Sequence, residues 1–330
     1  MRVVAISQPG GPEVLSIEQR PRPAPARGEV LIRVAAAGVN RPDCMQRQGL
    51  YPPPKGAPDW PGLEVAGQVE SAGPDVASPR IGERVCALVA GGGYAEYCIA
   101  AACHCLPVPE GVTLAEAAAI PETWFTVWTN LVDSGGLSAG DTLVVHGGAS
   151  GIGTAAIQIG SALGARVFVT AGSTEKLRFC RELGAWAGAC YRSENWPEAL
   201  LSATGGSGAD VILCMVGAPY LRDNLRCLKA GGKLVLIAAL GGPKAELDMR
   251  RILISRLWIT GSTLRPRNIE EKAAIAQAVR THLWPLLAEG KLRPVVQRRF
   301  PLENAAEAHA MMEANLTRGK LVLTTAQARG

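Results

Sequence analysis

The feature that most constrains this chain is a strand, a glycine-rich turn and a helix in immediate succession. Thr142-Leu143-Val144-Val145-His146 is a continuous apolar run, the pattern of a parallel strand buried on both faces. His146-Gly147-Gly148-Ala149-Ser150-Gly151-Ile152-Gly153 follows, and the spacing predicts a helix over 154–163, ended by Gly164. The rhythm then repeats. Strands are predicted over 166–170, 210–214, 233–239 and 257–262, with a helix over 175–183 before Gly184. Strands alternating with helices in this way imply an α/β fold with a doubly wound parallel sheet.

Glycines in such a turn let the backbone approach a pyrophosphate. The helix start then offers unpaired N–H groups and the positive dipole end. Gly148, Ala149, Ser150, Gly151, Ile152 and Gly153 are the expected phosphate cradle, although their spacing departs from strict GxGxxG. The other reading is a βα turn without a ligand. A protein that binds NAD places an acid about 20 residues beyond the turn, for the ribose hydroxyls. Here the segment is Thr170-Ala171-Gly172-Ser173-Thr174-Glu175-Lys176. Gly172 and Ser173 replace the acid, and Lys176 stands one helical turn on, placed for a 2′-phosphate. This favours NADPH over NADH. The competing view makes Ser173 an N-cap and Lys176 a surface lysine.

The flanks read differently. Short β-branched runs at 3–6, 14–17, 30–36 and 64–71, separated by turn formers, suggest a compact barrel-like β domain. Thr113 and Glu116 form a capping box, with an apolar helix over 114–119. Pro121 is expected to break that helix, and a helical pattern resumes over 123–131. After the sheet come a long helix over 271–287, a strand over 294–300, a helix over 305–314 and a closing strand over 319–324. The sheet does not need these, so the chain is expected to return to its first domain. The domains expected are 1–121, 122–264 and 265–330.

Several function classes are excluded or disfavoured. Charged residues make up 19% and apolar residues 48% of 330, which rules out disorder. The net charge of +5 is too weak to argue for nucleic acid without a dense patch. The run Gln297-Arg298-Arg299 reads as a solvated strand end. No apolar run reaches membrane-spanning length, and the start lacks a signal segment, so a cytoplasmic protein is expected. Nine irregularly spaced cysteines read as reduced thiols. Cys98, Cys103, His104 and Cys105 fit no standard zinc spacing. The seven tryptophans are dispersed and read as core. None of His104, His146, His282 or His309 has a partner carboxylate at a defensible spacing, so no general base is assigned.

Motifs along nearly the whole chain carry a resemblance. They are Gln8-Pro9-Gly10-Gly11-Pro12-Glu13, Gly38-Val39-Asn40-Arg41-Pro42-Asp43, Gly62-Leu63-Glu64-Val65-Ala66-Gly67, Ala117-Ala118-Ala119-Ile120-Pro121-Glu122-Thr123-Trp124 and Gly319-Lys320-Leu321-Val322-Leu323. Together they resemble the zinc-independent, zeta-crystallin-like quinone oxidoreductase branch of the medium-chain dehydrogenase/reductase superfamily. Met45-Gln46-Arg47-Gln48-Gly49-Leu50-Tyr51-Pro52-Pro53-Pro54 is most similar to the p53-inducible subgroup. The resemblance implies a GroES-like catalytic domain, an inserted Rossmann domain, and a quinone reduced by NADPH in the interdomain cleft. It also implies a homodimer paired through the sheet edge ending near Ser262. Zinc-using members carry a cysteine in the loop held here by Asn40-Arg41-Pro42-Asp43, and Gly-His-Glu where this chain has Gly62-Leu63-Glu64. Leucine cannot ligate a metal, so no metal site is expected.

The resemblance puts Asn40 and Tyr51 at the mouth of the nicotinamide cleft, with Tyr51 bonding a substrate oxygen or the cofactor ribose. Thr126 would meet the carboxamide, and Tyr191 would pack beside the adenosine phosphate. Val216, Gly217, Ala239, Leu240 and Gly241 end two strands at the ligand-binding edge. Leu264 and Arg265 follow the next strand, with Arg265 either reaching the cofactor or serving as a surface charge. Quinone reduction asks little of acid–base chemistry, and holding two planar rings face to face supplies most of the rate. Two rivals remain. One is an NADPH-dependent reductase of activated alkenes. The other is a non-catalytic NADPH- or RNA-binding regulator, whose RNA binding would fall steeply with salt.

Overall fold

A computed structural model describes residues 1–329. The chain divides into two compact units, residues 1–125 with 264–330, and residues 126–263.

The first unit is a GroES-like β-rich fold. Its strands are β1 (Arg2–Ile6), β2 (Leu15–Gln19), β3 (Glu29–Val39), β4 (Glu64–Ala72), β5 (Arg84–Leu88), β6 (Tyr97–Ala101) and β7 (Cys105–Pro107). The second unit is a parallel sheet of β8 (Thr142–His146), β9 (Arg166–Ala171), β10 (Ala187–Cys190), β11 (Ala209–Cys214), β12 (Leu228–Leu236) and β13 (Trp258–Gly261). The chain then returns to the first unit with β14 (Val296–Pro301) and β15 (Lys320–Thr324).

In the first unit the main sheet runs β14-β15-β3-β4-β5-β7, and β6 also pairs with β3. Two registers set up the chemistry. β15 pairs antiparallel with β3, Leu321 opposite Val39, which brings Lys320 beside Asn40. β4 pairs with β3, Ala37 opposite Val65, which brings Glu64 beside Gly38. Gly38 is obligatory, because Glu64 and the Ala118 carbonyl occupy the space a Cβ would fill. The core of this unit gathers Val30, Ile32, Val34, Val65, Val85, Phe300 and Leu321, all essentially solvent-free.

The sheet of the second unit has the order β10-β9-β8-β11-β12-β13. That is the doubly wound 3-2-1-4-5-6 order, whose winding reverses between β8 and β11. Every residue of β8 is buried, as its unbroken apolar run requires.

Several boundaries differ from expectation, each for a local reason. The helix after the glycine turn spans Gly151–Ala162, because Ser150 caps it by accepting from the Gly153 N–H. Gly151, Ile152 and Gly153 therefore form its first turn. The helix expected over 114–119 is Leu114–Ala117 and stops before Pro121, which opens the next helix, Pro121–Trp128, because a proline in the first turn loses no helical bond. The pattern then continues as a π-helical segment, Thr129–Ser134. The long C-terminal helix splits into Ile269–His282 and Trp284–Ala288, because Pro285 has no N–H to carry the ladder on. Residues 12–14 form a 3-10 turn before β2. Trp258 and Trp186 are exposed rather than core. Among the described residues no helix is long and apolar enough to cross a membrane.

Candidate active site

The residues expected to hold a cofactor in the second unit gather at the carboxyl ends of its strands. Gly148–Gly153 follow β8, Gly172, Ser173 and Lys176 follow β9, and Tyr191 follows β10. The Gly148 N–H donates to the Thr170 carbonyl at 2.9 Å, which clips the glycine turn to the end of β9. Gly153 must be glycine, because its Cβ would collide with the Gly147 and Gly148 carbonyls. In a helix start the first N–H groups have no intrahelical partner, and Ser150 satisfies only that of Gly153. Among the described residues nothing accepts from the Gly151 and Ile152 N–H groups.

A Cβ on Gly172 would lie 2.7 Å from the Tyr191 hydroxyl, so that ring crosses over the Gly172 backbone. Ser173 caps the next helix, accepting from the Lys176 N–H at 3.2 Å. Beyond β11 and β12 the backbone stays paired. Leu240 donates to Met215 at 3.1 Å, and Gly241 donates to Val216 at 2.8 Å. Val216, Gly217, Ala239, Leu240 and Gly241 thus form one ledge. Thr126, half-buried, lies in the helix Pro121–Trp128 at the start of this unit. The donors and space at this edge fit a dinucleotide.

Asn40, Tyr51, Leu264 and Arg265 belong to the first unit. Arg265 is 6% exposed, so it is not a surface charge. Its guanidinium donates to the Ala90 carbonyl at 2.7 Å, to Gln46 Oε1 at 2.8 Å and to the Tyr51 carbonyl at 3.5 Å. It also lies 5.3 Å from the centre of the Tyr51 ring. Burial, helped by Glu122, pushes the Tyr51 hydroxyl above its ordinary pKa, so Tyr51 is a neutral donor at physiological pH.

Asn40 faces inward. Its Nδ2 donates to Glu64 Oε1 at 2.9 Å, and its Oδ1 accepts from Lys320 Nζ at 2.5 Å. Lys320 and Glu64 form an ion pair of 2.6 Å with side-chain exposures of 4% and 0%. Both ends of the Asn40 amide are thus committed to protein, which gives it a positioning part.

Beside this lies a buried polar chain that the sequence did not disclose. Asp43 accepts from the Asn40 N–H at 2.8 Å, the Gly62 N–H at 3.0 Å and the Tyr94 hydroxyl at 3.1 Å. Tyr94 meets His309 Nε2 at 3.2 Å, and His309 Nδ1 meets Arg47 Nη1 at 3.4 Å. Donors and acceptors match all along this chain when neutral His309 carries its proton on Nε2. Burial first, then Arg47, pushes His309 down to about 3, which keeps it neutral. Burial raises Asp43 to about 6 against the pull of its three donors. Glu122, at the start of its helix, donates its backbone N–H to Glu64 Oε2 at 2.8 Å. Asp43, Glu64, Glu122 and Lys320 all stood in recognisable motifs. For Glu64, Glu122 and Lys320, being the only charge within an otherwise apolar motif was the signal available; Asp43, next to Asn40 and Arg41, had no such signal.

Zinc needs at least three nitrogen, sulfur or carboxylate donors. Leu63 offers none, and the Lys320 ammonium already lies against Asn40 and Glu64. Among the described residues no group of three or more His, Cys, Asp and Glu side chains is placed to hold a metal ion. These residues do not fit a zinc ion. His104 instead bonds the Ile269 carbonyl at 2.9 Å. His146, pushed down to about 4 by burial, packs edge-on against the stacked pair Trp196 and Tyr220 and bonds Thr170 and Asn224.

Comparison with known proteins places this geometry. Residues 26–110 match the alcohol dehydrogenase GroES-like domain, and residues 151–280 match the zinc-binding dehydrogenase domain. A quinone oxidoreductase of Rattus norvegicus is 32% identical over 326 residues, covering 98% of this chain and 97% of that protein. The chain belongs to the medium-chain dehydrogenase/reductase superfamily. Two solved structures of this oxidoreductase superfamily illustrate its range. The Escherichia coli quinone oxidoreductase complexed with NADPH is 29% identical, with a TM-score of 0.87 over 98% of this chain and 99% of that one. An NAD-dependent alcohol dehydrogenase is 33% identical, with a TM-score of 0.88 over the same shares. Within the superfamily, then, overall likeness does not separate the two cofactors, and the end of β9 must.

Proposed function

We propose that this chain is an NADPH-dependent, metal-free quinone oxidoreductase. The observation that carries the reading is the Lys320 ammonium seated against Asn40 and Glu64, next to the loop and the Leu63 position that, by the resemblance, hold cysteine and histidine in zinc-using members. Oxidising an alcohol requires removal of its proton, for which such relatives use the metal. Reducing an electron-poor ring requires only hydride and an available proton. NADPH, when bound, supplies the hydride. Gly148–Gly153 hold its pyrophosphate on the helix start, and Ser173 and Lys176 favour the 2′-phosphate because no acid ends β9. Tyr51, held by Arg265 at its ring and carbonyl, donates a hydrogen bond to the substrate oxygen. Asn40, fixed by Glu64 and Lys320, stands at the N-cap of the helix Arg41–Arg47 that carries Asp43.

The test is a substrate panel with NADPH: ortho-quinones, para-quinones and enones, with simple alcohols and NADP⁺ in the reverse direction. Quinone turnover without alcohol oxidation supports the reading. Enone turnover alone replaces it with an alkene reductase. Salt-sensitive RNA binding without any turnover replaces it with a regulator.

A homodimer belongs to the same proposal. Edge strand β13 exposes Trp258 and Ile259, and the preceding helix Met249–Ser255 exposes Met249, Leu253 and Ile254. So large an apolar face on an unpaired edge invites a second copy. Sedimentation should give twice the chain mass, and a monomer at micromolar concentration overturns it.

A further inference from the structure

Glu122 is the acidic residue in this region for which the first unit provides no donor. The charges of Lys320, Arg265 and Lys272 act on it, and the hydrogen bonds described for these three side chains go elsewhere. Lys320 bonds Glu64, Asn40 and the Val39 carbonyl. Arg265 bonds Gln46, Ala90 and Tyr51. Lys272 donates to the Arg265 carbonyl at 2.7 Å. Among the described residues nothing hydrogen-bonds the Glu122 carboxyl group. Its own backbone is fixed to Glu64, so the side chain leaves the helix start from a held position, and it is only partly buried.

We propose that Glu122, as the carboxylic acid, is the proton donor to the quinone oxygen during reduction. This rests on the quinone oxidoreductase reading above and adds to it the acid that reading lacks. A hydride added to a quinone gives a hydroquinone monoanion. Its oxygen takes the proton as the Glu122 O–H bond breaks, leaving a carboxylate that water reprotonates. The groups facing Glu122 are Glu64 on β4, Lys320 on β15, Asp43 in the helix Arg41–Arg47, Arg265 after β13, Tyr51 in its loop and Lys272 in the helix Ile269–His282. Burial first, then the charge on Glu64, pushes Glu122 up to about 8, so it holds its proton at neutral pH. Tyr51, whose hydroxyl is pushed up by burial and then by the Glu122 charge, orients the oxygen that receives the proton.

The experiment measures kcat/KM for 9,10-phenanthrenequinone at saturating NADPH, from pH 6.5 to 9.5, in the full chain and in E122Q. With a group at about 8, the wild type should fall about 30-fold across that range as the acid form is titrated away. E122Q should lie near the wild-type alkaline rate at every pH, with a level profile. An E122Q profile that keeps the wild-type fall overturns the inference and leaves the quinone reading standing. A wild type with no quinone turnover at any pH overturns both. Should E122Q lose NADPH binding, E122D carries the test, because it retains an acid. E122D should keep an alkaline fall with a shifted midpoint, and a level E122D profile overturns the inference.

Discussion

Replacing Lys320 by methionine leaves Glu64 buried with no cation. Glu64 has no exposed side-chain surface, and its Lys320 partner, 2.6 Å away, is 4% exposed. Water therefore cannot stand in for the ammonium. Removing one partner of a buried pair costs about 3–5 kcal/mol, whereas removing both charges is often neutral. In a unit of this size each kcal/mol lowers the melting temperature by roughly 2–4 °C, so K320M should melt roughly 10 °C lower. The double variant K320M/E64Q keeps a neutral acceptor for the Asn40 amide and the Glu122 N–H. It should recover at least half of the loss. Thermal unfolding of wild type, K320M, E64Q and the double variant at pH 7.5 closes the cycle. A K320M loss below about 1 kcal/mol, or a double variant equal to the sum of the singles, refutes the argument that this pair is desolvated and mutually dependent.

Other expectations follow from the same structure. Ser173→Asp keeps the N-cap, since Asp caps as well as Ser, but sets a charge against a 2′-phosphate. NADPH affinity should fall at least ~10-fold with NADH affinity unchanged, read by fluorescence titration; equal effects on both would remove Ser173 from the cofactor assignment. Tyr94→Phe takes one donor from Asp43 and the acceptor from His309. It should cost about 1–3 kcal/mol of stability, and a neutral variant would mean the polar chain is not satisfied as described. His146 is neutral in the fold at about 4 but titrates near 6.5 when unfolded. Its contribution is complete above 6.5 and is lost as pH falls, so the stability gap between wild type and His146→Gln should narrow by about 3 kcal/mol between pH 7 and pH 4. A gap that does not change with pH would contradict its burial as the neutral form.

The sheet was legible because its strands are apolar throughout, and the glycine turn because its context is strand then helix. The return of the chain to the first unit was legible from strands the parallel sheet had no use for. Boundaries set by a single side chain were harder to read. Ser150 could cap a helix starting at 151 or lie within a longer turn, and only its bond to the Gly153 N–H decides. Pro121 and Pro285 show the same ambiguity, since proline is tolerated in the first turn of a helix and harmful further in. The polar chain from Arg47 through His309 and Tyr94 to Asp43 joins residues more than 200 positions apart, so no spacing rule reveals it. Arg265 read as cofactor ligand or surface charge, and its bonds to Gln46 and Ala90 emerge only once the chain has come back. Trp258 is apolar yet exposed, because β13 is an edge, and sequence pattern does not tell an edge strand from a central one.

The most direct measurement is the steady-state rate of one ortho-quinone with protein stripped by a chelator and verified metal-free, comparing NADPH with NADH. The account predicts full activity without metal and a clear preference for NADPH. Activity that disappears on stripping and returns with zinc, or a preference for NADH, would contradict it.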